Sequence, residues 1–180
     1  MTGVIANRYA EALFQLGKEK ELSETFVEEC RVIRDVFEND DQLNAFLMHP
    51  GVTHSKKKQF LDDVLKSVSH DVLNMVKLLV ERHRTEMISD VMKAYIQLDN
   101  EDKGILPATV YSVRELSDSE IAKLEDILAK RFDKNEMLLE NRVDPSIIGG
   151  VKIRVGNTIY DGSISAKLQR IERDIISANN

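Results

Sequence analysis

The residues of this 180-residue chain that could do chemistry are four histidines, one cysteine, 31 acidic side chains and a glycine-rich C-terminal stretch. A zinc helix typically presents two histidines at i and i+4, and the remaining ligands must come from cysteines, further histidines or carboxylates. His49, His54, His70 and His83 do not keep that spacing and fall on different predicted elements, so surface or capping roles are expected and no metal ligand is assigned. Cys30 lies on the stripe Phe26, Cys30, Ile33, Phe37, which is helical spacing and predicts a small core residue rather than a reactive thiol. Carboxylate pairs such as Asp62-Asp63 carry no acid–base signal in so acidic a chain. Ser163 follows Asp161-Gly162 without the G-x-S-x-G elbow of a nucleophile, which leaves helix capping.

The glycines pose the sharper question. In "GGVKIRVGNTIYDGSISAKLQRI", Gly149 and Gly150 precede a strand, whereas a phosphate-binding loop needs G-x-x-x-x-G-K-[ST] opening a helix, and a dinucleotide site needs G-x-G-x-x-G. Turn geometry accounts for the stretch instead. Val151, Ile153 and Val155 alternate with Lys152 and Arg154 as a half-buried strand, and Gly156-Asn157 makes a two-residue hairpin turn. Thr158 to Asp161 returns, Gly162 breaks the strand, and Ser163 caps a helix striped by Ile164, Leu168, Ile171 and Ile175. The enzyme alternative, a small-molecule transferase using these glycines, requires a ligand or a deep polar pocket beside Gly149 to Gly156. No catalytic, cofactor-binding or metal residue is assigned, and no cofactor is expected.

The net charge of −6 argues against a chain that coats nucleic acid. The one basic run, Lys56 to Lys58, reads as a solvated helix face. No apolar run approaches the roughly 18 residues of a membrane span, and the opening residues do not form a secretory signal. A single cysteine fits a reducing compartment.

The first hundred residues read as six helices: Val4 to Glu19, Ser23 to about Phe37, Gln42 to Met48, a fourth capped by Thr53 or Ser55 and ending near Leu65, a fifth opened by Ser69 or Asp71, and a sixth from about Glu86 to Leu98. At "DNEDKGILPATVYSV" the period changes to a β-branched run, Thr109 to Val113, which places a domain boundary at Gly104. Ser117 and Glu120 form a capping box, and "EMLLENRV" reads as a strand. The predicted class is α+β, mostly α, with a helical domain over 1–104 and a small α/β domain over 105–180 containing a short sheet with a hairpin and two helices.

The first and fifth helices exceed the ordinary pattern. In the first, Asn7, Arg8, Glu11, Gln15 and Lys18 occupy a narrow polar arc. Roughly 200° of the remaining wheel is apolar or small. In the fifth, Asn74, Lys77 and Glu81 share one side, while Val72, Leu73, Met75, Val76, Leu79 and Val80 cover most of the rest. Either the two helices are central and covered on both flanks, which periodicity alone favours, or part of each arc forms a groove for a partner's amphipathic helix.

The segments "ANRYAEALFQLGKEK", "FLMHPGVTHSKKKQFL" and, most specifically, "GGVKIRVGNTIYDGSISAKLQRI" resemble the δ-subunit family of bacterial F-type ATP synthases, which includes the mitochondrial oligomycin-sensitivity-conferring protein. The resemblance runs through essentially the whole chain. One departure is "VERHR", where the family pattern has glycine or asparagine ahead of Arg84. The resemblance implies a six-helix N-terminal bundle and a smaller C-terminal domain. It also implies a non-catalytic stator that joins the catalytic head to the peripheral stalk at the cytoplasmic face of a bacterial membrane, with membrane association only through the complex. On this likeness the N-terminal helix of an α subunit lies between the first and fifth helices, which selects the groove: Ile5, Ala6, Tyr9, Ala10, Leu13 and Phe14 with Leu73, Val76, Leu79 and Val80. The C-terminal domain would meet the stalk b subunits, with Gly149, Gly150, Gly156, Asp161, Gly162 and Ser163 as its signature. A grip through apolar faces is expected to depend weakly on salt. The alternative is a helical adaptor unrelated to ATP synthase.

Overall fold

The computed structural model describes residues 2–164 and residue 166. The chain divides into two compact units, Met1–Asp99 and Asn100–Asn180. The first unit is built from α1 (Thr2–Glu19), α2 (Ser23–Asn39), α3 (Asp41–Met48), α4 (His54–Val64), α5 (His70–Glu81), a 3-10 turn (Thr85–Met87) and most of α6 (Ile88–Lys103). All six helices contribute to one core, in which Leu13, Phe26, Ile33, Leu47, Leu61, Leu79, Ile88 and Tyr95 are sealed from solvent. Each such aliphatic or aromatic side chain contributes about 1.5–3 kcal/mol by leaving water.

The caps follow local chemistry, with adjustments. Asp40 accepts the Leu43 N–H at 2.9 Å and starts α3, and Thr53, rather than Ser55, accepts from Lys56 to start α4. Ser23 lies in the first turn of α2 instead of capping it, and Leu22 holds the cap position without a side-chain bond. Ser69 precedes α5, yet its N–H and hydroxyl are both donated to the Glu29 carboxylate, at 2.7 and 2.6 Å. The cap residue has become a tie between α5 and α2. Of the three lysines expected on a solvated face, Lys57 is buried.

The segment "DNEDK" is helical, and the division between the units falls inside α6 rather than at Gly104. Asp99 and Asn100 are themselves buried, while Glu101, Asp102 and Lys103 are exposed in the last turn of the helix. Gly104, at φ +69°, ends the helix in the left-handed conformation that glycine adopts without steric cost.

The second unit follows with β1 (Ile105–Ser112), α7 (Asp118–Phe132), β2 (Glu136–Val143), β3 (Val151–Val155) and β4 (Thr158–Asp161), in the sheet order β2-β1-β3-β4. The capping box of α7 is present as read: the Ser117 N–H donates to Glu120 at 3.0 Å, and Arg114 binds the same carboxylate at 2.8 Å. The crossover through α7 makes β1 and β2 parallel, while β3 and β4 are antiparallel neighbours. β1 begins four residues before the β-branched run. Its Pro107 falls where only β2 pairs with it, an edge position that tolerates proline. Met137, Val110, Ile153 and Leu128 form the core between sheet and helix. The stripe Leu168, Ile171 and Ile175 lies outside the described residues.

Candidate functional site

The wide apolar arcs of α1 and α5 are largely consumed by the fold. Ala6, Ala10, Leu13, Leu73, Val76, Leu79 and Val80 are all buried, at no more than 8% exposure. This corrects the expectation that they line a groove: they form the interior on which α1 and α5 pack. Phe14 is half-buried, but its ring meets Tyr95 edge-on at 5.9 Å and carries Lys18 above it. Ile5 and Tyr9 remain as partly open members of the predicted set.

What stays open is the edge of each arc. Ile5, Arg8, Tyr9 and Ala12 line a hollow of about 380 Å³ together with Arg82 and Arg84, just beyond the end of α5. Steps of three and four extend the α1 strip to Leu16 and Lys20, and carry the α5 strip back from Arg82 to Leu78, Met75 and Asp71. Lys20 and Asp71 meet at 2.7 Å, so the two strips run side by side in opposite directions and are joined at their far end. Leu16, Met75 and Leu78 are half-buried within this shallow furrow. The furrow is therefore apolar along its length, neutral at the Lys20–Asp71 end and cationic at the other.

The cationic end is held by a backbone turn. The Arg84 N–H reaches back to the Leu79 carbonyl at 2.8 Å, and His83 between them takes φ +56°. This is the left-handed stop that follows many helices, a conformation glycine and asparagine adopt most readily. Histidine is among the non-glycine residues that tolerate the conformation. The turn aims Arg84 at Tyr9: its guanidinium donates to the phenolic oxygen at 2.8 Å and lies 5.7 Å from the ring centre. Sequence spacing did not bring Arg84 to Tyr9, because the pair is set by the handedness of one turn.

Two histidines that the sequence separates also meet. His54 and His83 stack edge-to-face at 5.2 Å. Among the described residues no group of three or more histidine, cysteine or acidic side chains could hold a metal. Cys30 is sealed in the core, where burial and then the Glu29 charge push its thiol well above the ordinary range.

In the second unit the glycines are used up by the backbone. A Cβ on Gly150, at φ +82°, would stand 2.7 Å from the Gly162 carbonyl oxygen. The Gly162 N–H donates to Val151 and the Ile164 N–H to Gly149, so two chain passes cross with no room for a side chain. Ser163 is buried at the crossing; it caps the following turn by accepting from Ala166 at 3.2 Å. Its hydroxyl and N–H hold the Asp161 carboxyl below the usual range. Gly156 makes the tight hairpin turn at φ +56°. Beside the sheet, a hollow of about 410 Å³ is lined by Leu128, Phe132, Ile153 and Ile159 among others, with the Tyr160 and Phe132 rings edge-to-face at 5.3 Å. Arg131 and Asp161 share that lining with the apolar side chains.

The comparisons with known proteins bear on the whole of this arrangement. The family described as ATP synthase delta (OSCP) subunit matches residues 5–175. The chain belongs to that family. An ATP synthase subunit delta of Oceanobacillus iheyensis is 52% identical to it over 98% of this chain and 97% of the relative. The same-named protein of Bacillus thuringiensis strain Al Hakam is 41% identical over 97% of each. Among solved structures, a chain of the Toxoplasma gondii mitochondrial ATP synthase hexamer superposes with a TM-score of 0.70 over 95% of this chain and 97% of that one, at 18% identity. That likeness establishes the shared delta/OSCP fold, mostly helical with a small four-stranded sheet.

Proposed function

We propose that this chain is the non-catalytic stator subunit of an F-type ATP synthase, holding the catalytic head against the torque of the rotor during proton-driven ATP synthesis. The observation that carries the reading is the family membership over nearly the full chain, with 52% identity to a subunit of that name. No helix among the described residues is long and apolar enough to cross a membrane, in keeping with a peripheral subunit that reaches the cytoplasmic face of the membrane through its complex.

In this reading the helical unit grips the N-terminal helix of one α subunit, and the furrow between α1 and α5 is its seat. The support is chemical: an apolar strip bounded by polar ends suits an amphipathic helix. The second unit meets the stalk b subunits. The apolar side chains it leaves open, Ile148, Ile159 and Tyr160, give that contact its hydrophobic component. A stator needs slow dissociation rather than fast encounter. Two attachments, one per unit, keep a released end near its partner through effective concentration.

The test is reconstitution. Membrane vesicles stripped of their own δ-type subunit should regain ATP-driven proton pumping when this chain is added. Hydrolysis on the isolated head should not change. A chain that binds neither head nor stalk, and leaves pumping unrestored, would overturn the reading in favour of an unrelated helical adaptor.

A further inference from the structure

The furrow is asymmetric in charge. Arg8, Arg82 and Arg84 surround one hollow at one end, in a chain whose net charge is −6. Among the described residues, no carboxylate oxygen lies in ion-pair contact with any of the three. The nearest acid in sequence, Glu81, is held by Lys58 at 3.0 Å. Asp71, the acid at the far end of the furrow, is already neutralised by Lys20. Arg84 is fixed by the hydrogen bond to Tyr9 and by its place over that ring, while Arg8 and Arg82 are exposed.

Three arginines lining one open hollow repel one another through water, and a planar anion seated among them relieves the repulsion. Carboxylate is the group whose geometry the guanidinium fork matches, with two parallel N–H···O bonds. We propose that the arginine end of the furrow receives an aspartate or glutamate side chain of the helix seated there, and so fixes the direction in which that helix lies. The proposal rests on the reading that the furrow holds a helix of the catalytic head. The apolar strip alone would accept an amphipathic helix in either direction. A cationic end opposite a neutral one discriminates, because the reversed helix would bring apolar or basic groups to arginines that lack a carboxylate partner. The grip then acquires a salt-dependent component that apolar faces alone would lack.

The experiment measures binding of the full chain to catalytic head stripped of its δ-type subunit, at low and at physiological salt. Three proteins are compared: wild type, the double variant Arg8→Gln with Arg82→Gln, and Leu78→Asp. The double variant should bind about tenfold more weakly at low salt, with a flatter salt dependence, while its melting temperature stays unchanged. Acidic residues of the α-subunit N-terminal segment are then replaced one at a time by their amides. One replacement should weaken binding to wild type and cost nothing further with the double variant. If Leu78→Asp loses binding but the arginine variant matches wild type in affinity and salt dependence, the furrow holds the helix and the carboxylate proposal is wrong. If neither variant differs from wild type, the seat itself is elsewhere and the proposal falls with it.

Discussion

The α1–α5 face and the Gly150–Gly162 crossing are the two most information-rich regions of the sequence, and they use their residues in opposite ways. On the helical face there is more apolar surface than one core needs, and the excess emerges at an edge: Leu16, Met75 and Leu78 stay half-open beside a sealed interior of Val76, Leu79 and Ala10. At the crossing nothing is left over. Gly150 and Gly162 are spent on letting two backbones touch, and Ser163 on closing the turn behind them. Surplus marks a surface available to another molecule, whereas a fully satisfied cluster marks a constraint on the fold itself.

Substitutions at the two regions should therefore fail differently. Val76→Asp, which would be a surface change if the whole arc were a groove, buries a charge at a position with no solvent exposure. It should cost on the order of 4 kcal/mol and lower the helical content seen by circular dichroism. Retained helicity would mean that the interior assigned to α5 is wrong. Gly150→Asp combines a left-handed backbone with a side chain driven into the Gly162 carbonyl, at a cost of about 3 kcal/mol. A chemical-denaturation curve should show loss of stability in the sheet unit, and an unchanged curve would remove the close approach from the account. His83→Gly should move the other way. Relief of the left-handed histidine should stabilise by about 1 kcal/mol, less whatever the ring contact with His54 supplies. A lower melting temperature would show that the histidine stack outweighs the backbone.

The smallest effect concerns the capping box. Arg114, followed by Ser117, lowers the Glu120 pKa to about 2. A carboxyl depressed in the folded state contributes stability above its unfolded pKa and loses it as pH falls through the folded one. The difference between wild type and Glu120→Gln should therefore be full at neutral pH, shrink below about pH 4.5 and vanish near pH 2. A difference that stays constant across that window would show that the carboxylate charge is not what the cap uses.

How much of this was legible beforehand follows from the range of each interaction. The order of the helices, the capping box, the hairpin turn and the strand Glu136–Val143 depend on neighbours a few residues away, and they were read from local pattern. The start of β1 was missed because Pro107 looks like a strand breaker until its one-sided pairing is known. The polar "DNEDK" run did not announce itself as the end of α6, because the burial of Asp99 and Asn100 is a tertiary fact. On the α1–α5 face, periodicity marked the two helices with surplus apolar surface but not which edge of each arc stays open. That depends on how α1 and α5 rotate against the other helices, and residue types alone do not encode the angle. Arg84 was invisible as a partner of Tyr9, since 75 residues and one left-handed turn separate them.

The central claim is that the open edge of α1 and α5 seats a helix of the catalytic head. Calorimetric titration of the full chain with an α-subunit N-terminal peptide, comparing wild type with Leu78→Asp, tests it most directly. The half-open position should accept the aspartate with an unchanged melting temperature, while affinity falls about 30-fold. Equal affinities for the two proteins, both fully folded, would contradict it.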